Sequence, residues 1–137
     1  MKGCIHLSSE QNHAAISNKE KAVSFLKQVA DGKVKEAYRT YISSGFSHHN
    51  PYFRGDAESL MVAMEEDAAR NPHKTLEVHR AIEEKGMVVV HSHIKQNLED
   101  SGVAVVHMMR FVHGQIAELW DVGQPIPEDS PNENGAF

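Results

Sequence analysis

The spacing of apolar residues predicts three helices in the first half of the chain. Ser17-Asn18-Lys19-Glu20 has the capping-box pattern that starts a helix, and Gly32 is placed to end that helix. A stripe of apolar residues at helical spacing predicts a second helix: Val34, Ala37, Tyr38, Tyr41 and Ile42. Ser43-Ser44-Gly45 is expected to end this helix. Asp56 is a good N-cap for a third helix, which stops before Asn71-Pro72.

From residue 73 the apolar period changes from 3.6 to 2, which predicts strands. In the first strand, Leu76, Val78, Arg80 and Ile82 alternate with Glu77, His79, Ala81 and Glu83. A turn at Lys85-Gly86 leads into a second strand that ends at Lys95. Two more strands, over residues 103–112 and 116–122, are joined by a tight hairpin at His113-Gly114. Three helices before a four-stranded antiparallel meander predict an α+β fold, and we expect a cone of curved sheet with a pocket inside.

Composition limits the classes to which the protein can belong. A chain of 137 residues is expected to form a single domain, here with a loose N-terminal tail over 1–14 and an extended C-terminal tail over 123–137. The net charge of −5 without a Lys/Arg cluster argues against a nucleic-acid partner, and the lack of long apolar runs argues against a membrane partner. A single cysteine, Cys4, cannot form an internal disulfide, so we expect a cytoplasmic location.

The chain contains ten histidines, which makes a metal site one hypothesis. His91 and His93 lie on the same face of a predicted strand, and His107 on the next strand would complete a three-histidine site for zinc or iron. The alternative is that these imidazoles line an apolar pocket or a subunit interface. Motifs for a serine nucleophile, a phosphate loop or a dinucleotide site are absent from the sequence.

The final hairpin determines the surroundings of Asp121. Regular pairing across a two-residue turn places His107 opposite Trp120 and Val106 opposite Asp121, so His107 and Asp121 lie on opposite faces. A bulge would reverse this, because one extra residue changes the face on which the following side chains lie. Asp121 is then either a desolvated carboxylate suited to general acid/base chemistry or a solvated residue at a strand end.

The segment His48-His49-Asn50-Pro51 combines hydrogen-bonding side chains with neighbouring aromatic residues. Phe46 precedes it, and Tyr52 and Phe53 follow. Polar groups among aromatic ones are typical of the wall of a small-molecule pocket. The alternative is simple turn formation, since Asn-Pro initiates turns without any functional role.

Three segments together resemble the SnoaL-like proteins of the nuclear transport factor 2-like superfamily. They are His49-Asn50-Pro51, the strand from Gly114 to Val122 that contains Trp120-Asp121, and the proline-rich segment 124–128 with Asn132-Glu133-Asn134. The resemblance covers residues 17–137 and implies a cone of curved sheet closed by three helices, usually paired as a homodimer. Two positions differ from similar sequences: Leu119 stands where a histidine is common, and His107 where an acidic residue is common.

The resemblance also implies a function. The proteins after which the SnoaL-like group is named are polyketide cyclases that use an aspartate for acid/base catalysis without metal or organic cofactor. Asp121 and His49 are then the expected catalytic pair, acting on a small hydrophobic carbonyl compound. The expected substrate-binding residues are Asn50, Tyr52, Phe53, His91, His107 and Trp120. The alternatives are a non-catalytic ligand-binding or dimerisation domain and the histidine-ligated metalloprotein.

Overall fold

The computed structural model describes residues 16–137, in which three helices and five strands follow one another. The helices are α1 (Asn18–Ala30), α2 (Val34–Tyr41) and α3 (Ala57–Arg70). The strands are β1 (Ile42–His48), β2 (Thr75–Glu84), β3 (Met87–Lys95), β4 (Val103–Val112) and β5 (Gln115–Pro125). The N-terminal tail predicted over 1–14, together with Cys4, lies outside the described residues.

Side-chain caps start two of the helices at the predicted positions. The Ser17 hydroxyl oxygen accepts a hydrogen bond from the Glu20 N–H at 3.0 Å, and the Asp56 carboxylate accepts one from the Ser59 N–H at 2.9 Å. Each bond satisfies a backbone donor that has no partner inside its helix, which is worth about 1 kcal/mol. Both predicted N-caps are confirmed.

The sheet has the strand order β1-β5-β4-β3-β2. Strands β2 to β5 form the predicted antiparallel meander, and β1 adds a fifth strand parallel to β5. The prediction that Ser43-Ser44-Gly45 ends the second helix is wrong, because α2 stops at Tyr41 and the chain continues directly into β1. Strand β5 also runs to Pro125, three residues beyond its predicted end.

The alternation predicted for β2 is interrupted. The pairing of β2 with β3 shifts between Val78 and Arg80, so the residues after this bulge change faces. Ala81 packs against the core, whereas Ile82 is 59% exposed on the other side of the sheet. The expected regular strand with Ile82 on the buried face is therefore wrong.

The core lies between the helices and one face of the sheet, which we call the inner face. Buried side chains from every layer form this core, among them Phe25, Tyr38, Leu60, Val90, Met109 and Leu119. The curved sheet is not closed on itself, and the predicted α+β fold class is confirmed with five strands instead of four. Within residues 16–137, every helix is too short or too polar to cross a membrane.

Candidate functional site

A bulge in β5 decides which side chains meet inside the molecule. Phe111 pairs with Ile116 and Arg110 pairs with Glu118, so Ala117 is the extra residue. Beyond the bulge His107 lies directly opposite Asp121 on the inner face. The regular pairing, with His107 opposite Trp120, is therefore wrong, and the bulged alternative is confirmed.

His107 is a buried, neutral imidazole beside this carboxylate. The residue is 7% exposed, and within residues 16–137 its Nδ1 atom has no hydrogen-bonding partner. Burial lowers the pKa of His107 to about 4, because the charged form loses its hydration; Asp121 opposes this shift and the Lys74 ammonium adds to it. His107 is therefore uncharged near neutral pH and does not neutralise Asp121.

Asn50 orients the carboxylate of Asp121 from the loop that follows β1. Its Nδ2 atom donates to Asp121 Oδ2 at 3.1 Å, and its Oδ1 atom accepts from the Tyr52 N–H at 3.0 Å. The two contacts fix the orientation of the amide, because a carboxylate accepts and a backbone N–H donates. Asn50 thus binds one of the two carboxylate oxygens of Asp121.

His48 fixes the loop that carries Asn50. Its ring is buried, and Nε2 lies 2.5 Å from the Arg54 carbonyl oxygen, while Nδ1 accepts from the Asn50 N–H at 3.1 Å. A carbonyl oxygen only accepts hydrogen bonds, so Nε2 carries the proton and Nδ1 is the acceptor. The buried ring therefore bridges both ends of the loop over residues 49–54.

A cavity of about 300 Å³ adjoins Asp121 and Asn50. Its apolar wall includes Phe53, Leu60 and Met64, and its polar wall comes from the end of α3 and the segments next to β2 and β3. The polar side chains are Glu66, Asp67, Arg70, Lys74 and Gln96. A volume at the low end of the usual range for ligand pockets suits a small molecule. The cavity wall therefore combines apolar and charged side chains.

His49 lies on the other side of the sheet from Asp121, a side we call the outer face. Its imidazole stacks on Trp120 with ring centroids 5.0 Å apart, and its Nε2 contacts Glu118 Oε2 at 2.6 Å. Glu118 also accepts from Arg110 Nε at 3.0 Å, and these two hydrogen bonds lower the pKa of Glu118. The structure therefore does not bring the expected pair of His49 and Asp121 together, and it places Trp120 away from the cavity.

His91 and His93 also lie on the outer face, where the Phe137 ring packs at a tilt against both rings at centroid distances of 5.1 Å. Burial, reinforced by the Arg80 charge, lowers the pKa of His91. His107 projects from the opposite face, so the predicted site of His91, His93 and His107 cannot bind one ion. Among residues 16–137 the structure contains no group of three histidine, cysteine or acidic side chains placed to hold a metal.

The aromatic residues of the loop differ in position. Phe53 lines the cavity, whereas Tyr52 is 86% exposed and does not. Sequence reasoning missed all five polar residues from the end of α3 and the segments next to β2 and β3: Glu66, Asp67, Arg70, Lys74 and Gln96. They come from three separate segments with no local motif, and only their contacts in the fold connect them.

Comparison with known proteins places this geometry in a structural class. Neither a protein-family model nor a curated protein matches the chain. An NTF2-like protein of unknown function from Cytophaga hutchinsonii is 20% identical, and the match covers 80% of this chain and 92% of that chain with a TM-score of 0.65. A SnoaL-like protein of unknown function from Burkholderia thailandensis is 10% identical, covering 80% and 98% of the two chains at a TM-score of 0.63.

A third solved structure, a candidate isomerase of the SnoaL-like family from Agrobacterium tumefaciens, is 7% identical. The match covers 78% of this chain and 97% of that chain, with a TM-score of 0.64. At these identities the likeness concerns the fold and not the activity. The chain therefore has the fold of the NTF2-like and SnoaL-like proteins, as its sequence resemblance implies.

Proposed function

We propose that this protein binds a small carbonyl compound and transfers a proton at the carbon next to its carbonyl group, with Asp121 as the general base. The observation that carries this proposal is the position of Asp121 in the cavity, opposite the neutral His107 and held by Asn50. A carboxylate positioned beside a partly apolar cavity is suited to general acid/base chemistry.

The proposed step uses only side chains of the protein. The C–H bond of the substrate breaks, its proton passes to Asp121, and the electron pair moves to the carbonyl oxygen to form an enolate. Return of the proton to another carbon gives an isomerisation. Attack of the enolate on a second carbonyl, with Asp121 protonating the new alkoxide, gives an aldol-type cyclisation.

Asn50 and His107 support Asp121 in different ways. Asn50 fixes one carboxylate oxygen of Asp121 through its amide N–H. His107 remains uncharged near neutral pH, so it forms no ion pair that would weaken the base. Within residues 16–137 its buried Nδ1 atom has no hydrogen-bonding partner, and His107 itself does not line the cavity.

Exchange of carbon-bound hydrogen for deuterium tests this function directly. Incubation of small ketones and β-diketones in D₂O, followed by NMR, is expected to reveal protein-dependent exchange at the carbon next to the carbonyl. Asp121→Asn should reduce the exchange rate by about 10²-fold or more, the usual contribution of a general base. The matched control is Glu118→Gln, on the same strand but on the outer face, and it should leave the rate unchanged.

The outcomes separate catalysis from simple binding. Exchange that persists in Asp121→Asn would contradict the assignment of the base. Compounds that stabilise the wild-type protein in thermal unfolding but show no exchange would instead support the alternative, a non-catalytic ligand-binding domain.

We also propose that two copies pair through the outer face and that the protein acts in the cytoplasm. Two strands of this face, β2 and β5, each carry an exposed apolar side chain, with Ile82 59% and Val122 62% exposed. Removing such side chains from water favours association. The single cysteine of the chain is compatible with a reducing compartment.

A further inference from the structure

Lys74 lies in the wall of the same cavity as Asp121, in the short turn between α3 and β2. Its side chain is 18% exposed, and its ammonium group contacts the carboxylate of Asp67. A lysine held this far from bulk water retains a strong local field, because fewer water molecules screen its charge. It is therefore well placed to act on a ligand that occupies the cavity.

Asp67 holds this ammonium in place. Its Oδ2 atom binds Lys74, while Oδ1 accepts from Asn71 Nδ2 at 3.1 Å and from Gln96 Nε2 at 3.3 Å. The carboxylate is thus fixed by donors from three directions. An ammonium has three N–H donors, and within residues 16–137 Asp67 is the one acceptor that Lys74 binds. Two donors therefore remain for a ligand.

The field of Lys74 also reaches His107, the residue that lies opposite Asp121 across β4 and β5. Its charge is one of the causes that hold the pKa of His107 down, after burial. A field that disfavours a positive imidazolium there favours a negative charge at the same place. An enolate oxygen is the negative charge that the proposed function creates beside Asp121.

We propose that Lys74 is a catalytic residue that binds the carbonyl oxygen of the substrate and stabilises the negative charge formed there when Asp121 removes the proton, with Asp67 as its positioning residue. This inference rests on the proposed function. It specifies the substrate as a compound whose carbonyl oxygen reaches Lys74 while its neighbouring C–H reaches Asp121. Lys74 keeps its own proton throughout the step and only donates a hydrogen bond.

Binding of 4-nitrophenol tests the inference without any turnover, because its phenolate resembles an enolate and absorbs differently from the neutral phenol. The measurement uses Asp121→Asn protein, which reproduces the uncharged state of the base when the enolate exists. The bound phenol is expected to ionise at lower pH than in water. Adding Lys74→Met should weaken phenolate binding about tenfold or more, the usual loss for one charge-assisted hydrogen bond.

Further variants exclude indirect effects. Lys35→Met removes an exposed lysine of α2 outside the cavity and should change phenolate binding less than twofold. Lys74→Arg keeps the positive charge and should restore part of the binding. If Lys74→Met does not fold because Asp67 is left without its cation, the double variant with Asp67→Asn removes both charges and should show the same loss.

Two results would overturn the inference: phenolate affinity that is unchanged in Lys74→Met, or wild-type and Asp121→Asn proteins that bind no phenolate. Failure of the proposed function has a different signature. In that case phenolate binding would depend on Lys74, but no ketone would exchange its hydrogen in a manner sensitive to Asp121→Asn.

Discussion

At the scale of single residues, the site depends on a histidine that stays uncharged. An exposed histidine titrates near pH 6.5, but burial moves the pKa of His107 to about 4. Between these values the unfolded chain binds a proton that the folded chain does not. The free energy of unfolding therefore has its full value above pH 6.5 and falls as the pH decreases towards 4.

We expect the variant His107→Gln, which cannot titrate, to lose less stability in acid than the wild-type protein. Between pH 7 and pH 4 the difference between the two losses should be about 3 kcal/mol, from the displacement of the pKa. Urea unfolding at both pH values measures it. His73→Gln, at an exposed position, is the control and should follow the wild type. If His107→Gln and the wild-type protein lose the same free energy of unfolding between pH 7 and pH 4, His107 is not buried in its neutral form.

At the scale of elements, the loop between β1 and α3 separates two adjacent histidines onto opposite sides of the sheet. The His48 ring satisfies the Arg54 carbonyl and the Asn50 N–H inside the loop. The His49 ring lies outside, half exposed, against Trp120. The resemblance to SnoaL-like proteins favours His49, whereas nothing in the residue pattern itself distinguishes the two imidazoles.

This arrangement predicts different outcomes for the same substitution at neighbouring positions. His48→Ala removes the hydrogen-bonding partners of two backbone groups and should lower the free energy of unfolding by about 2–3 kcal/mol. It should also weaken ligand binding, because the loop that carries Asn50 loses its support. His49→Ala removes an exposed ion pair and stack and should cost about 1 kcal/mol or less. Urea unfolding and thermal-shift titration of both variants measure these effects. A larger loss of ligand binding in His49→Ala than in His48→Ala would restore His49 as the functional residue.

The helices and four strands could be predicted because their signals are local. Caps at Ser17 and Asp56 and the change of period at residue 73 each depend on a few neighbouring side chains. Strand β1 could not, because Ser43-Ser44-Gly45 has the composition of a turn and becomes a strand only by pairing with the distant β5. The bulge at Ala117 has no sequence signal either, so the pairing of Asp121 with His107 remained one of two alternatives.

At the scale of the whole molecule, the sheet divides the protein into two sides of different character. The inner face carries Asp121 and the cavity, and the outer face carries two adjacent rows of side chains. One row is Ile82, Val89, Met108 and Trp120, and the other is Arg80, His91, Val106 and Val122. A second copy on the outer face would leave the mouth of the cavity free.

We expect the protein to be a dimer in solution and the substitution Val122→Lys to convert it into a monomer. A lysine in the centre of an apolar contact must lose its hydration without gaining a partner. Light scattering during size-exclusion chromatography measures the change in mass. Val62→Lys, at an exposed position on α3, is the control and should remain dimeric. A wild-type protein that is monomeric at all concentrations would contradict the proposed pairing.

The stacking of Trp120 on His49 has a consequence for optical experiments. Trp120 is the single tryptophan of the chain and lies on the outer face, next along the strand to the residue proposed as the base. Its fluorescence therefore reports on the outer surface and on the charge of the stacked imidazole, while a molecule in the cavity makes no direct contact with the indole. Emission spectra recorded during ligand titration and during dilution would thus follow association of the two copies separately from occupancy of the cavity.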